Sequence, residues 1–218
     1  MLARKFDEHR ENHVTNVVWW KGRSVDLIKA CAYAFQSLLI YEYHFVIGRK
    51  GKIKEFYLRF DKADFHHLLG LHKLKDITQI QQGMREKIFD KILRGEITEE
   101  LVRKSSFYYQ MKERIVPLIG LENMLDGNNM IFRYNEKAQR FSVIKADYLL
   151  EGVANEIPAF LFLGKRNEDE KEQMCRTFFR IGDIDYTQGQ PQYTLLKKEK
   201  RNLVTGEVVI QYDKLALK

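Results

Sequence analysis

The stretch RFDKADFHHLLGLHKLKDI, residues 59–77, holds three of the six histidines of the chain, at His66, His67 and His72. Imidazole titrates near neutral pH, so a histidine can transfer a proton, bind a metal ion or contact a phosphate. Lysines, an arginine and the apolar motif LLGL surround these histidines. The composition is therefore compatible with a catalytic site, a metal site, a nucleic-acid contact or the end of an ordinary helix.

The apolar residues of this stretch have a structural explanation. In a short helix, Phe65, Leu68 and Leu69 fall on one face. Gly70 can then adopt the left-handed conformation that ends the helix, and Leu71 can fold back on Phe65. A capped helix docked on a sheet leaves the three histidines on its polar side or beyond its end, so it does not explain them.

The sequence patterns argue against a metal or cofactor site. The zinc motif HExxH is absent, and adjacent histidines on a helix point about 100° apart, so they converge badly on one ion. The phosphate-binding patterns GxxxxGK[ST] and GxGxxG and the nucleophile pattern GxSxG are also absent. We therefore predict no metal and no cofactor.

The charge of the chain favours a polyanionic partner. Lys and Arg number 37 against 30 Asp and Glu, and the formal net charge is +7. Residues 49–75 hold eight basic residues against three acidic ones, and LLKKEKR at 195–201 forms a second basic cluster. Basic residues interleaved with tyrosines suit single-stranded nucleic acid. The alternative is that the lysines only keep strand edges soluble.

Histidine, lysine and arginine together suit one reaction that needs no metal. RNA carries its own nucleophile, the 2′-hydroxyl, so a base, an acid and fixed cations are sufficient to cleave it. Histidine can act as the base or the acid because its pKa lies near neutrality.

The order of patterns predicts an α+β fold, in which N-terminal and inserted helices pack on a mainly antiparallel sheet. The first half reads as helical, apart from a β-hairpin of strands at 40–47 and 53–60, and a short helix follows at 61–69. The second half reads as short strands separated by turns. We divide the chain into a helical extension (1–40), a main domain (41–200) with a helical insertion (79–125), and a C-terminal strand or tail (201–218).

Two segments resemble a known family. FYLRFDKADFHHLLGLHKL, and FFRIGDIDYTQGQPQYTLLKKEK in the later strands, are similar to a phage-associated nuclease family of the barnase–EndoU–colicin–RelE-like superfamily. The resemblance spans about residues 41–200. It implies a metal-independent RNase, with a barnase- or RelE-like antiparallel sheet that binds RNA on its open face.

The resemblance also implies candidate site residues. His67 and His66 match the family signature, and Thr194 matches a late-strand motif facing the implied cleft, so these three are the predicted catalytic residues. The insertion departs from the family pattern, and a lid, an oligomerisation arm or a docking site for a protein inhibitor are the roles considered for it. Charge and position predict the RNA phosphate contacts at Arg59, His72, Lys73, Lys165, Arg180 and Lys197.

The sequence therefore predicts an endoribonuclease that leaves a 2′,3′-cyclic phosphate, in the role of a toxin or mobile-element effector. The alternative is a non-catalytic nucleic-acid-binding or structural protein of a phage or mobile element. A small-molecule enzyme is a third reading, which no motif supports. The sequence shows neither a signal peptide nor an apolar run long enough for a membrane span, so we expect a cytoplasmic protein without a membrane partner.

Overall fold

The computed structural model describes residues 19–20, 23–24, 26–139, 142–169 and 171–216. The strands are β1 (Trp19–Trp20), β2 (Arg23–Ser24), β3 (Tyr41–Arg49), β4 (Lys52–Arg59), β5 (Met130–Arg133), β6 (Tyr148–Ala154), β7 (Ile157–Lys165), β8 (Glu172–Arg180), β9 (Gln192–Asn202) and β10 (Val208–Asp213). The α-helices are α1 (Leu27–Leu38), α2 (Lys62–Leu68), α3 (Thr78–Gln81), α4 (Arg85–Arg94), α5 (Glu99–Arg103), α6 (Lys112–Ile119) and α7 (Leu121–Asp126).

Seven strands form a closed mixed barrel, in the order β9-β3-β4-β8-β7-β6-β5, and β5 pairs back to β9. Strand β10 is an eighth strand that extends the sheet beyond β9, and β1 and β2 form a separate two-stranded pair. Most pairs are antiparallel, but β4 and β8 are parallel. The predicted arrangement of helices on a mainly antiparallel sheet is therefore wrong.

Barrel closure depends on contacts that are remote in sequence. The long strand β9 pairs with β3 along most of its length, while Gln192 and Tyr193 at its start pair with β5. Strand β4 pairs with β8 through two residue pairs, Tyr57 with Glu172 and Leu58 with Gln173. Local patterns do not encode such pairings, which explains why the sequence predicted an open sheet.

The predicted hairpin is confirmed. Strands β3 and β4 pair antiparallel from Glu42 opposite Arg59 to Arg49 opposite Lys52. Side chains alternate along β3, where Tyr43, Phe45 and Ile47 are buried and the residues between them face outward. This alternation gives the hairpin an apolar inner face and a polar outer face.

The helices of the predicted insertion contribute to the main core. Phe89 of α4 packs edge-on against Phe65 of α2, with ring centroids 5.0 Å apart, and both rings are fully buried. Leu118 of α6 and Leu125 of α7 belong to the same core. A smaller aromatic core, formed by Phe132, Tyr134, Leu149, Phe160 and Phe162, involves strands β5, β6 and β7.

The predicted helix at 61–69 is confirmed as α2. Asp61 and Asp64 form a capping box at its start. At its end Gly70 has a φ of 85°, the left-handed conformation that the sequence predicted. Among the described residues, no helix combines the length and apolar character that a bilayer span requires.

Candidate functional site

The outer face of β3, β4 and β9 carries a group of charged and aromatic side chains, which we call the His44 grid. It consists of Glu42, His44, Glu55, Tyr57, Arg59, Lys197, Glu199 and Arg201. Antiparallel register places His44 directly between Tyr57 on β4 and Glu199 on β9. Two residues earlier on β3, Glu42 lies between Arg59 and Arg201 in the same way. The residues belong to one face because successive outward positions along a strand are two apart.

His44 is held at both of its ring nitrogens. Nδ1 lies 3.0 Å from Glu199 Oε2, and Nε2 lies 3.2 Å from Glu55 Oε2. The ring of Tyr57 stacks on the imidazole, with centroids 4.4 Å apart and planes 10° from parallel. The imidazole is therefore fixed in position and orientation before any ligand binds.

Both carboxylates beside His44 are kept ionised. The hydrogen bond from Lys171 Nζ at 2.7 Å, and then that with His44, hold the pKa of Glu55 below its usual value. The pKa of Glu199 is lowered in the same way by Lys197, whose Nζ lies 2.8 Å away, and by His44. His44 therefore lies in hydrogen-bonding contact with two ionised carboxylates, one at each ring nitrogen.

Two arginines complete the grid. Arg59 donates through both Nε and Nη2 to Glu42, a carboxylate that is only 5% exposed. Such a two-pronged contact fixes a guanidinium group more firmly than a single bond. Arg201, on the other side of Glu42, is exposed.

An open cavity of about 460 Å³ lies over this grid. Its walls include His44, Tyr57, Arg59, Glu199 and Arg201, together with Asp169, Lys171 and Glu172 near the start of β8. Glu55 does not line this cavity, but it lines a neighbouring one of about 430 Å³, which shares Lys171 and reaches Tyr148. Glu199 therefore faces the main cavity, and Glu55 supports His44 from the other side.

The arrangement combines the three functions needed to cleave a phosphodiester. An ionised carboxylate can accept a proton, a positively charged imidazole can donate one, and guanidinium groups can stabilise the extra negative charge of the transition state.

The structure also brings the three predicted histidines together, at a different place. The rings of His67 and His72 stack with centroids 4.6 Å apart, and His66 lies 6.4 Å from His72. Lys73, a predicted phosphate contact, follows His72 in the 3-10 helix Leu71–Lys73. We call His66, His67 and His72 the histidine cluster. Helix α2, which carries His66 and His67, packs against β8 and α4.

The electrostatic environment of the histidine cluster differs from that of His44. Burial, and then the charges of Arg85 and His67, lower the pKa of His66 to about 4. Burial, and then the charges of His67, His66, Lys73 and Arg114, lower the pKa of His72 to about 4 as well. The pKa of His67 is also lowered, mainly by burial. These imidazoles are therefore neutral at neutral pH.

The other predicted site residues are dispersed. Arg59 and Lys197 belong to the His44 grid. Thr194 is exposed on β9, opposite Gly48 of β3. Helix α2, with His66 and His67, packs against β8, which is separated from β9 by two barrel strands on one side and three on the other. Thr194 therefore lies apart from these two histidines. Lys165 and Arg180 lie near opposite ends of the β7–β8 pair. The assignment of catalytic roles to His66, His67 and Thr194 stays a prediction.

The second basic cluster of the sequence does not form a continuous phosphate-binding strip. Lys198 is buried and donates to the carbonyl oxygens of Leu125 and Gly127 at the end of α7. Lys200 pairs with Glu122 and Asp126. Alternation along β9 turns both lysines toward α7 and leaves Lys197 and Arg201 near the cavity.

The sequence analysis overlooked most of the grid, although a signal was present. In the predicted hairpin, Glu42 and His44 alternate with buried apolar residues, as do Glu55, Tyr57 and Arg59. Two paired strands with chemically active residues at alternate positions necessarily present them on one face. Glu199 could not be added from sequence, because its position depends on the distant pairing of β9 with β3.

Within the part of the chain that the structure describes, no group of three or more His, Cys, Asp or Glu side chains is arranged to hold a metal ion. The His44 grid instead has the composition of acid–base sites that act on phosphodiesters.

The comparison with known families agrees with this class of site. The chain belongs to the family described as phage-Barnase-EndoU-ColicinE5/D-RelE like nuclease4, whose model matches residues 27–215. The resemblance noted in the sequence is thereby confirmed, and the family is one of nucleases, which act on nucleic acids. No curated protein sequence and no solved structure matches the chain.

Proposed function

We propose that this nuclease is a metal-independent endoribonuclease and that it cleaves RNA at the His44 grid. The observation that carries the proposal is the position of His44, held between two ionised carboxylates beside Arg59 and Arg201 in an open cavity. These groups can supply proton transfer and charge stabilisation without a metal.

Each side chain has a distinct role in the proposed reaction. Glu199 takes the proton of the RNA 2′-hydroxyl, and the 2′-oxygen attacks phosphorus. The bond from phosphorus to the 5′-oxygen breaks, and this oxygen takes a proton from the His44 imidazolium. Arg59 and Arg201 stabilise the phosphorane, and the product carries a 2′,3′-cyclic phosphate.

The contact between His44 and Glu199 also restores the site after each cleavage. The proton that Glu199 took from the 2′-hydroxyl can return to His44 Nδ1 across their 3.0 Å separation. Glu55 stays bonded to Nε2 and keeps the ring in place, a supporting role that a carboxylate can perform without being protonated.

An RNA oligonucleotide tests the proposal directly. The purified protein should cleave it in the presence of EDTA and leave a product with the mass of a 2′,3′-cyclic phosphate. The same strand with a 2′-deoxy nucleotide at the cleavage position should resist cleavage there. Loss of cleavage with EDTA, or equal cleavage of the deoxy strand, would contradict the proposal. Binding without cleavage would support the alternative of a non-catalytic nucleic-acid-binding protein.

The histidine cluster remains the alternative location for the chemistry, as the sequence predicted.

The biological role that we propose is that of a phage or mobile-element effector that damages RNA as a toxin. Expression of the wild-type protein in bacteria should then stop growth, whereas expression of His44→Ala at the same level should not.

A further inference from the structure

Three basic residues around the histidine cluster have no carboxylate partner within the described chain. They come from separate elements: Lys73 follows His72, Arg85 begins α4, and Arg114 lies on α6. Arg114 Nη1 lies 3.3 Å from the carbonyl oxygen of Leu68 and 3.4 Å from that of Phe178. These distances are long for hydrogen bonds, so the contacts of Arg114 with these neutral groups are weak. Lys73 Nζ similarly lies 3.4 Å from a carbonyl oxygen.

For Lys73 and Arg114 the lack of a counter-ion is costly, because these two cations are partly buried. Burial lowers the pKa of Arg114 and of Lys73. Lys200, another partly buried base, is paired with Glu122 and Asp126. Removing a cation from water without a partner carries a free-energy cost that an anion would offset.

The histidines themselves have unused hydrogen-bonding capacity. His66 is 6% exposed, and although the backbone of Ile80 lies near, neither ring nitrogen makes a hydrogen bond of good geometry within the described chain. Nδ1 of His72 is buried and unpaired as well. Each unpaired buried polar group costs about 1–3 kcal/mol. A neutral imidazole always has one N–H to donate.

The nearby carboxylate cannot satisfy these groups. Asp64 accepts a hydrogen bond from the backbone N–H of Asp61 at 2.8 Å, as part of the helix cap, and it pairs with Arg166 at 3.1 Å. Gly70 also shapes the region, since a Cβ there would meet Arg114 Cδ at 3.2 Å. The glycine thus allows Arg114 to lie close over the end of α2.

We propose that the histidine cluster binds a phosphate group, with donors from Lys73, Arg114, His66 and His72 and added attraction from Arg85. Donors that converge from α2, the 3-10 helix, α4 and α6 suit an anion with several oxygens arranged in three dimensions. The phosphate belongs either to a nucleic-acid strand or to a free phosphate compound, which have the same chemistry. The proposal does not depend on catalysis at His44.

The full chain, with its histidines isotope-labelled, allows a direct NMR test at pH 7. Inorganic phosphate should shift the His66 and His72 signals in a saturable manner. Lys73→Ala should weaken this binding about 10-fold or more, since a charge-assisted hydrogen bond is lost. The matched control Lys75→Ala, an exposed neighbour, should change it less than about twofold. If Lys73→Ala is unfolded, Arg85→Ala against Lys87→Ala provides the same comparison on α4.

A DNA oligonucleotide, which lacks the 2′-hydroxyl, separates the two sources of phosphate. If it displaces inorganic phosphate from the histidine cluster, the site serves a nucleic-acid strand. If it does not, the site serves free phosphate. The proposal is overturned if phosphate up to roughly 10 mM produces no saturable shift of His66 or His72. It is also overturned if each alanine variant and its control weaken binding equally.

Discussion

His44 lies between two carboxylates that are each also bonded to a lysine, whereas His66 and His72 lie among cations and near one carboxylate that is already engaged. The first environment offers a hydrogen-bonding carboxylate to each ring nitrogen, whereas the second disfavours the charged imidazole. The presence of three histidines in a short segment therefore identified a cluster, but it did not identify its chemistry. The neighbouring charges decide whether a histidine is suited to proton transfer or to neutral hydrogen bonding.

The largest difference in cleavage rate should appear between a substitution in the His44 grid and one in the histidine cluster. We expect His44→Ala to lower the rate of RNA cleavage by roughly 10²–10⁴, the usual contribution of general acid–base catalysis. His67→Ala should lower it far less, because His67 lies outside the grid. Initial rates on one RNA substrate measure both.

Melting curves provide the control for this pair, since both variants should remain folded. If His67→Ala lost activity and His44→Ala did not, catalysis would belong to the histidine cluster, as the sequence first predicted.

Two arginines that are exposed on the barrel sharpen the same comparison. Arg201→Ala should lower cleavage by about 10–100-fold, because it removes a charge-assisted hydrogen bond to the phosphate. Arg180→Ala, the matched control, should have little effect, since Arg180 lies at the far end of β8 and does not line the cavity. Single-turnover rates at saturating RNA measure the chemical step; equal losses in the two variants would mean a general effect of charge.

Acid should destabilise the protein through the histidine cluster. Unfolded histidines take up protons below about pH 6.5, but His66 and His72 in the folded protein do so only near pH 4. Protonation thus favours the unfolded state, and the free energy of unfolding should fall as pH drops through this window. Arg85 opposes protonation of His66, and Lys73 and Arg114 oppose protonation of His72, while Asp64 favours protonation of the neighbouring His67. Urea midpoints in phosphate-free buffer measure the effect.

The variant His66→Gln isolates the contribution of one imidazole from that of the acidic side chains. It should lose less stability between pH 7 and 4.5 than the wild type loses. An identical pH dependence would mean that the cluster does not titrate as the structure indicates.

The smallest expected effect concerns the salt dependence of RNA affinity. RNA affinity should fall several-fold or more between roughly 50 and 200 mM salt, because bound cations release counterions from RNA. Removing one phosphate contact, with Arg201→Ala, should reduce the salt slope by about one. Filter binding with a 2′-deoxy-substituted strand measures this without cleavage. An unchanged slope would exclude a phosphate contact at Arg201.

Local features of the fold could be predicted from sequence, and distant pairings could not. The hairpin of β3 and β4 follows from alternation around a tight turn, and α2 follows from its spacing and from Gly70. The closed barrel instead depends on β9 reaching both β3 and β5, and on the parallel contact of β4 with β8. The same limit applied to the site: half of the grid lies on one hairpin, and Glu199 joins it only through tertiary pairing.

The narrow contact between β4 and β8 has a consequence for folding kinetics. It consists of two residue pairs, supported by the hydrogen bond from the backbone N–H of Tyr57 to the carbonyl oxygen of Lys171 at 2.8 Å. Contacts between segments so far apart in sequence form slowly, because a long loop must close first. A short seam is also a natural place for partial opening of the native state. Lys171 lies on one side of this seam and His44 on the other, so each opening would separate Lys171 from Glu55. Amide hydrogen exchange at Tyr57, compared with Phe45 in the long β3–β9 pairing, would measure how often the contact between β4 and β8 opens locally.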